Sequence, residues 1–187
     1  MKDVLGKYLL NWRIAKVLPF VSGRLLDIGC GTNELVKTYK GEGVGVDVYD
    51  WGNVDIVVED TSKLPFKPGE FDTVTIIAAL NHIPNRQDVL NEAHRILGNE
   101  GKLIITMIPP MISTLWHNLR EPWDVDQTER GMKEGEVYGL NKKDIHDMLK
   151  KSGFEIAHEE RFMFGVNLLT VARKVWNDDF DLNSHLI

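Results

Sequence analysis

Three carboxylates stand at the ends of three successive apolar runs. Asp27 is in RLLDI, Asp47 closes GVGVD, and Asp60 follows VDIVVE. A glycine-rich turn, Gly29-Cys30-Gly31, follows the first run, and Asp47 lies eighteen residues beyond Gly29. Glycine has no Cβ and accepts positive φ, so Gly29 and Gly31 let a ligand approach the backbone closely. A strand-end carboxylate such as Asp47 can accept hydrogen bonds from both hydroxyls of a ribose. Bonds to an ionised acceptor contribute about 1.5–3 kcal/mol each, so one acid can largely fix a sugar. Asp60 is placed to accept from the exocyclic amine of an adenine. The three acids together describe a nucleoside site, and with it cofactor chemistry.

The elements that must position these acids alternate along the chain. Strands of a parallel sheet are covered on both faces and appear as continuous apolar runs, and ligands of such sheets sit beyond the carboxyl ends of the strands. Leu5, Tyr8, Leu9, Trp12 and Ala15 are at helical spacing and predict a helix over 4–18, stopped by Pro19. RLLDI is the first strand, 33–39 a short helix ended by Gly41 and Gly43, and GVGVDV and VDIVVE the second and third strands. FDTVTIIA, 71–78, is the fourth strand, favoured by its β-branched residues. Asn85 with Asp88 three residues on predicts a capped helix whose apolar face is Val89, Leu90, Ala93, Ile96 and Leu97, with Gly98 as the stop. KLIITMI, 102–108, is the fifth strand. An irregular connection of about thirty residues runs from Pro109 to Leu140. Asn141 with Asp144 starts another helix, closed by Gly153. FEIAHEERFMF and GVNLLTVARK form a terminal strand pair, antiparallel because the turn between them is short. The expected fold is three-layer α/β, five parallel strands followed by an antiparallel last one. Residues 1–173 form one domain and 174–187 an acidic tail.

Composition limits the function classes. The net charge of −6 argues against broad nucleic-acid binding, which needs clustered Lys and Arg. Cys30 is the only cysteine, so no internal disulfide can form. The first sixteen residues lack the apolar core of a signal peptide, and no apolar run reaches membrane-spanning length. A cytoplasmic protein is expected.

At these residues the chain resembles the class I methyltransferases that use S-adenosylmethionine, most closely the ubiquinone/menaquinone-biosynthesis-like group, also called methyltransferase type 11. LLDIGCGTNEL is similar to the family's glycine-rich motif, EDTSKLPF to the segment with the adenine-contacting acid, and FDTVTIIAALNHI to the fourth strand and its turn. NEAHRILGNEGKLIITM is similar to the helix, turn and fifth strand that follow. The resemblance covers residues 20–108 well and 140–173 as element order. It implies a Rossmann-like seven-stranded sheet in the order 3-2-1-4-5-7-6, strand 7 antiparallel. It implies that S-adenosylmethionine is the cofactor and that a small molecule accepts the methyl group. Gly29 and Gly31 would border the methionine part, Asp27 would reach its amino group, and Asp47 would hold the ribose. Val48, Thr61 and Leu64 would wall the adenine, with Asp60 at its amine, and Ala78 would offer a backbone carbonyl to the ammonium. The family often has a third glycine where Thr32-Asn33-Glu34 stands here.

His82, in the turn after the fourth strand, borders the reacting methyl in the resembling fold. It is a candidate base or orienting group, although a hydrogen bond within the loop accounts for it better, because methyl transfer often needs no strong base. His117, in the long connection, is a weaker candidate. No set of His, Cys or acids has metal-ligand spacing, so no metal is expected. Trp116 and Trp123, with Met111, Ile112 and Leu115, suit a substrate lid over 109–140. Tyr8 and Trp12 are candidates to close over the cofactor or simply to pack. Two alternatives stand: a catalytically silent cofactor-binding module, and an NAD(P)-dependent oxidoreductase. The second draws on Tyr138 and Lys142, whose spacing works only on one helical face. Gly139 and Asn141 place the helix start after the tyrosine.

Overall fold

The computed structural model describes residues 4–108, 135, 137 and 139–175, with side chains from Gly6 onward. Its seven strands form one sheet in the order β3-β2-β1-β4-β5-β7-β6. Helix α1 (Val4–Val17) leads through a 3₁₀ turn at Leu18–Phe20 into β1 (Leu25–Ile28), α2 (Glu34–Thr38), β2 (Gly43–Asp47), β3 (Ile56–Val57) and β4 (Phe71–Ile77). A 3₁₀ turn at Leu80–His82 precedes α3 (Arg86–Ile96) and β5 (Leu97–Met107). After the connection come α4 (Lys142–Lys151), β6 (Phe154–Phe162) and β7 (Asn167–Lys174). Strands β1 to β5 are mutually parallel, and β7 runs antiparallel to both β5 and β6.

The period-two alternation of strand side chains divides the core between two faces. Leu26, Ile28, Val46, Val74, Ile76, Leu103 and Ile105 pack against Val89, Leu90, Ala93 and Ile96 of α3 and Ile145 and Leu149 of α4. Leu25, Ile104, Leu169 and Val171 turn the other way, against Ile14 and Val17 of α1 and Leu35 of α2. The apolar stripe of α3 carries Val89, Leu90, Ala93 and Ile96 of the predicted face, while Leu97 belongs to β5. Because β1 to β5 are parallel, the turn after β1, Asp47, the segment after β3 and the turn after β4 share one rim of the sheet. Leu168 pairs with Met107, so β7 begins at that rim too.

Several elements differ from their expected limits. The run VDIVVE keeps only two strand residues, because Asp55 turns its carboxylate onto the Gly45 N–H (2.8 Å) and the Asn33 amide (2.8 Å). The short helix starts at Glu34, since Asn33 is left-handed (φ 63°). The fourth strand stops at Ile77 because Ala78 is left-handed (φ 52°). Gly98 does not stop α3: Leu97 is already extended (ψ 137°) and opens β5 opposite Phe71. Neither Asn85 nor Asn141 caps its helix through its side chain. The strand pair is shorter than expected, ending at Phe162 and resuming at Asn167 around a turn in which Met163 and Phe164 are left-handed. Residues 109–134, with His117, Trp116 and Trp123, and the tail beyond Val175 lie outside the described residues.

Candidate cofactor site

The turn after β1 is held to β2 by Gly29 N–H and Cys30 N–H, both donating to Val46 O (2.8 and 3.1 Å). Gly29 has φ 72°, and a Cβ there would lie 2.6 Å from that of Ala79. This glycine is therefore required by the close approach of two turns, the one after β1 and the one after β4. Gly31 has φ 52°, with nothing within 4 Å of where its Cβ would be. The backbone at Gly31 thus faces open space on the rim.

Asp47 is buried (7 % exposed) and fixed at both oxygens: Oδ2 accepts the Gly31 N–H (2.9 Å) and Oδ1 the Tyr49 N–H (3.1 Å). One carboxylate so ties the glycine-rich turn to the end of β2, and each oxygen keeps a further lone pair. Val48 follows, exposed on the same rim. Asp27 is more deeply buried (3 % exposed) and accepts the Thr75 hydroxyl at 2.6 Å. Burial pushes its carboxyl up to about 7; the Thr75 bond opposes the shift and the charge of Asp47 adds to it. A buried carboxyl near neutrality gains strongly from a cation, which would restore its charged form. Burial, reinforced by the charges of Asp27, Asp47 and Asp55, raises the Cys30 thiol and keeps it protonated.

Asp60 accepts the Ser62 N–H and Ser62 hydroxyl at Oδ1, both at 2.8 Å, and the Asn85 amide at 3.1 Å. The Ser62 N–H and then the Asn85 amide hold its carboxyl below the ordinary range. Thr61 and Leu64 are buried beside it. The segment is anchored from α3: Glu92 accepts the Leu64 N–H (2.7 Å), and Arg95, paired with Glu92, donates to Phe66 O (2.9 Å). Ala78, left-handed at the end of β4, has its N–H on Thr106 O (3.0 Å) and its hydroxyl oxygen (3.1 Å). His82 is half-buried in the next turn, its backbone N–H on Ala79 O. Arg86 donates to Leu80 O, Asn81 O and Gly135 O (3.1, 3.0 and 2.8 Å), and Val137 N–H donates to Asn81 O (3.0 Å). The turn carrying His82 is therefore tied to the returning end of the connection.

The structure brings Asp27, Gly29, Gly31, Asp47, Val48, Asp60, Thr61, Ala78 and His82 to one rim of the sheet. Among the described residues no group of three His, Cys, Asp or Glu could hold a metal. Residues 139–141 are not helical and α4 begins at Lys142, while Tyr138 lies outside the described residues.

Asn33 was legible only as a missing glycine. It takes the left-handed backbone a glycine would take, and its Nδ2 donates to Asn53 O (3.0 Å) and Asp55 Oδ2 (2.8 Å). Gly45 leaves room for it: a Cβ there would lie 2.1 Å from Asn33 Oδ1. The side chain clamps the glycine-rich turn to the β2–β3 connection. Asn33→Gly, which keeps the backbone and loses the clamp, should lower stability by about 1–3 kcal/mol. Asn33→Ala should cost about 1 kcal/mol more, through left-handed strain. Denaturant midpoints of the two variants check this; equal stability in all three proteins would remove the clamp.

Residues 7–159 match the family described as the methyltransferase domain. An uncharacterized protein of Methanocaldococcus jannaschii, MJ1252, is 30 % identical over 168 residues, 77 % of this chain and 64 % of its own length. The ubiquinone/menaquinone biosynthesis C-methyltransferase UbiE of Ectopseudomonas mendocina is 32 % identical over 130 residues, 56 % of this chain and 51 % of its own. The chain thus spans between half and two thirds of these relatives. A solved Thermotoga maritima structure, a SAM-dependent methyltransferase titled a possible histamine N-methyltransferase, superposes with a TM-score of 0.69. It covers 90 % of each chain at 18 % identity, a likeness of fold. The chain belongs to the class I S-adenosylmethionine-dependent methyltransferase family.

Proposed function

We propose that the protein binds S-adenosylmethionine on this rim and transfers its methyl group to a small-molecule acceptor by in-line displacement. The observation that carries the reading is the pinned Asp47, whose carboxylate ties the open Gly31 backbone to the second strand end. The residues present fit the cofactor. Asp47 would take the ribose hydroxyls and Asp60 Oδ2 the adenine amine, between Val48, Thr61 and Leu64. Asp27, whose buried carboxyl gains from a cation, would take the ammonium with the Ala78 carbonyl. When bound, the cofactor supplies an electrophilic methyl group on a sulfonium, a good leaving group.

The chain's own work is alignment. A lone pair of the acceptor forms the new bond to carbon as the carbon–sulfur bond breaks, and the acceptor's proton, where there is one, leaves to solvent or a base. Holding both partners in line can supply about 7–11 kcal/mol of such a barrier. His82 is the described candidate to orient the acceptor or take that proton; His117 is the second. The connection 109–140 is proposed to border the acceptor, supported by the ties from Arg86 and Asn81 that hold its returning end beside His82. A small acceptor is favoured by the net negative charge and by the quinone-pathway names of curated relatives.

Titration calorimetry should show S-adenosylmethionine and S-adenosylhomocysteine binding in the micromolar range, with no heat from NAD. Binding of NAD with no response to either sulfur nucleoside would sink the reading. Nucleoside binding without methyl transfer to any member of a phenol, amine, thiol and quinol panel would favour the silent module instead.

A further inference from the structure

Asn85 occupies the N-cap position of α3 and does not cap it. An N-cap side chain ordinarily accepts an N–H from the first turn of its helix. Here the backbone (φ −91°, ψ 49°) turns the amide away, and no capping hydrogen bond forms. Nδ2 donates instead to Asp60 Oδ1 (3.1 Å) and Ser62 Oγ (3.0 Å). Asp60 Oδ1 then holds three donors, while Oδ2 has none among the described residues. An ionised carboxylate with one oxygen saturated presents the other as a directed acceptor. Residue type points the same way. Asn and Asp cap helices about equally well, but an aspartate at 85 would set a second carboxylate against Asp60 with a single Ser62 hydroxyl to share between them.

We infer that Asn85 is a positioning residue for purine selectivity, which fixes Asp60 so that Oδ2 accepts from a 6-amino purine and rejects a 6-oxo purine. The inference rests on the reading above, in which Asp60 meets the adenine. The rejection is chemical: the carbonyl of a hypoxanthine would put acceptor against acceptor. A carboxylate free to rotate discriminates less, because it can turn aside and leave water at the base.

The test uses S-adenosyl-L-homocysteine and S-inosyl-L-homocysteine as probes. Calorimetry is run on the wild type, Asn85→Ala, Asn85→Asp, Asp60→Asn and the Asn85→Ala/Asp60→Asn pair, with melting curves for each. The wild type should prefer the adenine nucleoside, and Asn85→Ala should lose about tenfold of that preference, the scale of one hydrogen bond. Asn85→Asp should still fold, as its melting curve shows, yet lose the preference, since a carboxylate at 85 has no N–H to give Asp60. In the Asp60→Asn background, adding Asn85→Ala should leave the ratio unchanged, because Asn85 acts through Asp60. Equal weakening of both nucleosides by Asn85→Ala would overturn the inference, as would an Asn85→Ala effect that persists without Asp60, or an Asn85→Asp protein that discriminates like the wild type. Failure of the wild type to bind either nucleoside would instead overturn the methyltransferase reading, and the inference with it.

Discussion

Asp47→Ala should lose most of the affinity for S-adenosylhomocysteine, by about 1.5–5 kcal/mol or roughly ten- to several-thousand-fold. Two ribose hydroxyls would lose one shared ionised acceptor, and that acceptor is preorganised. Gly31 N–H at 2.9 Å and Tyr49 N–H at 3.1 Å hold the carboxylate in place before any ligand arrives. The same substitution releases the Gly31 backbone, so the glycine-rich turn loses its tie to β2. Asp60→Asn should cost less, since it removes the charge from one contact to the base and leaves the ribose contacts intact. Calorimetry on both variants, with melting temperatures to show that each is folded, gives the comparison. Equal affinity in the wild type and Asp47→Ala would mean that the end of β2 does not meet a ribose.

The sheet and the acids at its rim were legible because both are written locally. Apolar runs closed by acids mark parallel strand ends, and Gly29 and Gly31 mark a turn that needs positive φ, which both adopt. What could not be read was how polar side chains are spent once the elements meet. Asn85 looks like a cap in sequence, and only the fold brings Asp60, twenty-five residues away, within reach of its amide. Asn33 looks like a departure from a glycine pattern, and only the register of β2 puts Gly45 beneath it. Gly98 looks like a helix stop, yet Leu97 finds Phe71 across the sheet and the chain extends directly. Glu92 carried the clearest overlooked signal: an acid on the inward stripe of α3, among Val89, Ala93 and Ile96, with Arg95 one turn on. Buried at 8 % exposure, it needs a donor, and finds one in the Leu64 N–H.

The affinity for S-adenosylhomocysteine should fall about tenfold for each pH unit below 7, and Asp27→Asn should abolish that slope. In the ligand-free protein burial holds the Asp27 carboxyl at about 7, against the Thr75 hydroxyl bond. Below that pH the group is neutral and must release a proton before it can pair with an ammonium. Above it the charge is already present and affinity levels off. Calorimetry at pH 6.5 in phosphate and in imidazole, whose ionisation enthalpies differ, should report about three quarters of a proton released on binding, the fraction still bound half a unit below a pKa of about 7. Stability of the free protein should move the opposite way. The folded-state pKa lies above the unfolded value of about 3.9, so the folded chain binds the extra proton between about pH 4 and 7. This group's contribution is full below pH 4, declines as pH rises to 7, and is of the order of 4 kcal/mol at most. A saturating nucleoside should flatten that decline, because the ammonium stabilises the ionised carboxylate. Affinity constant from pH 6 to 8 in the wild type, or an unchanged slope in Asp27→Asn, would place the ammonium elsewhere. Asp27 would then be a buried acid held for the Thr75 bond between β1 and β4, and the methionine end of the ligand would have to be sought along the Ala78 turn.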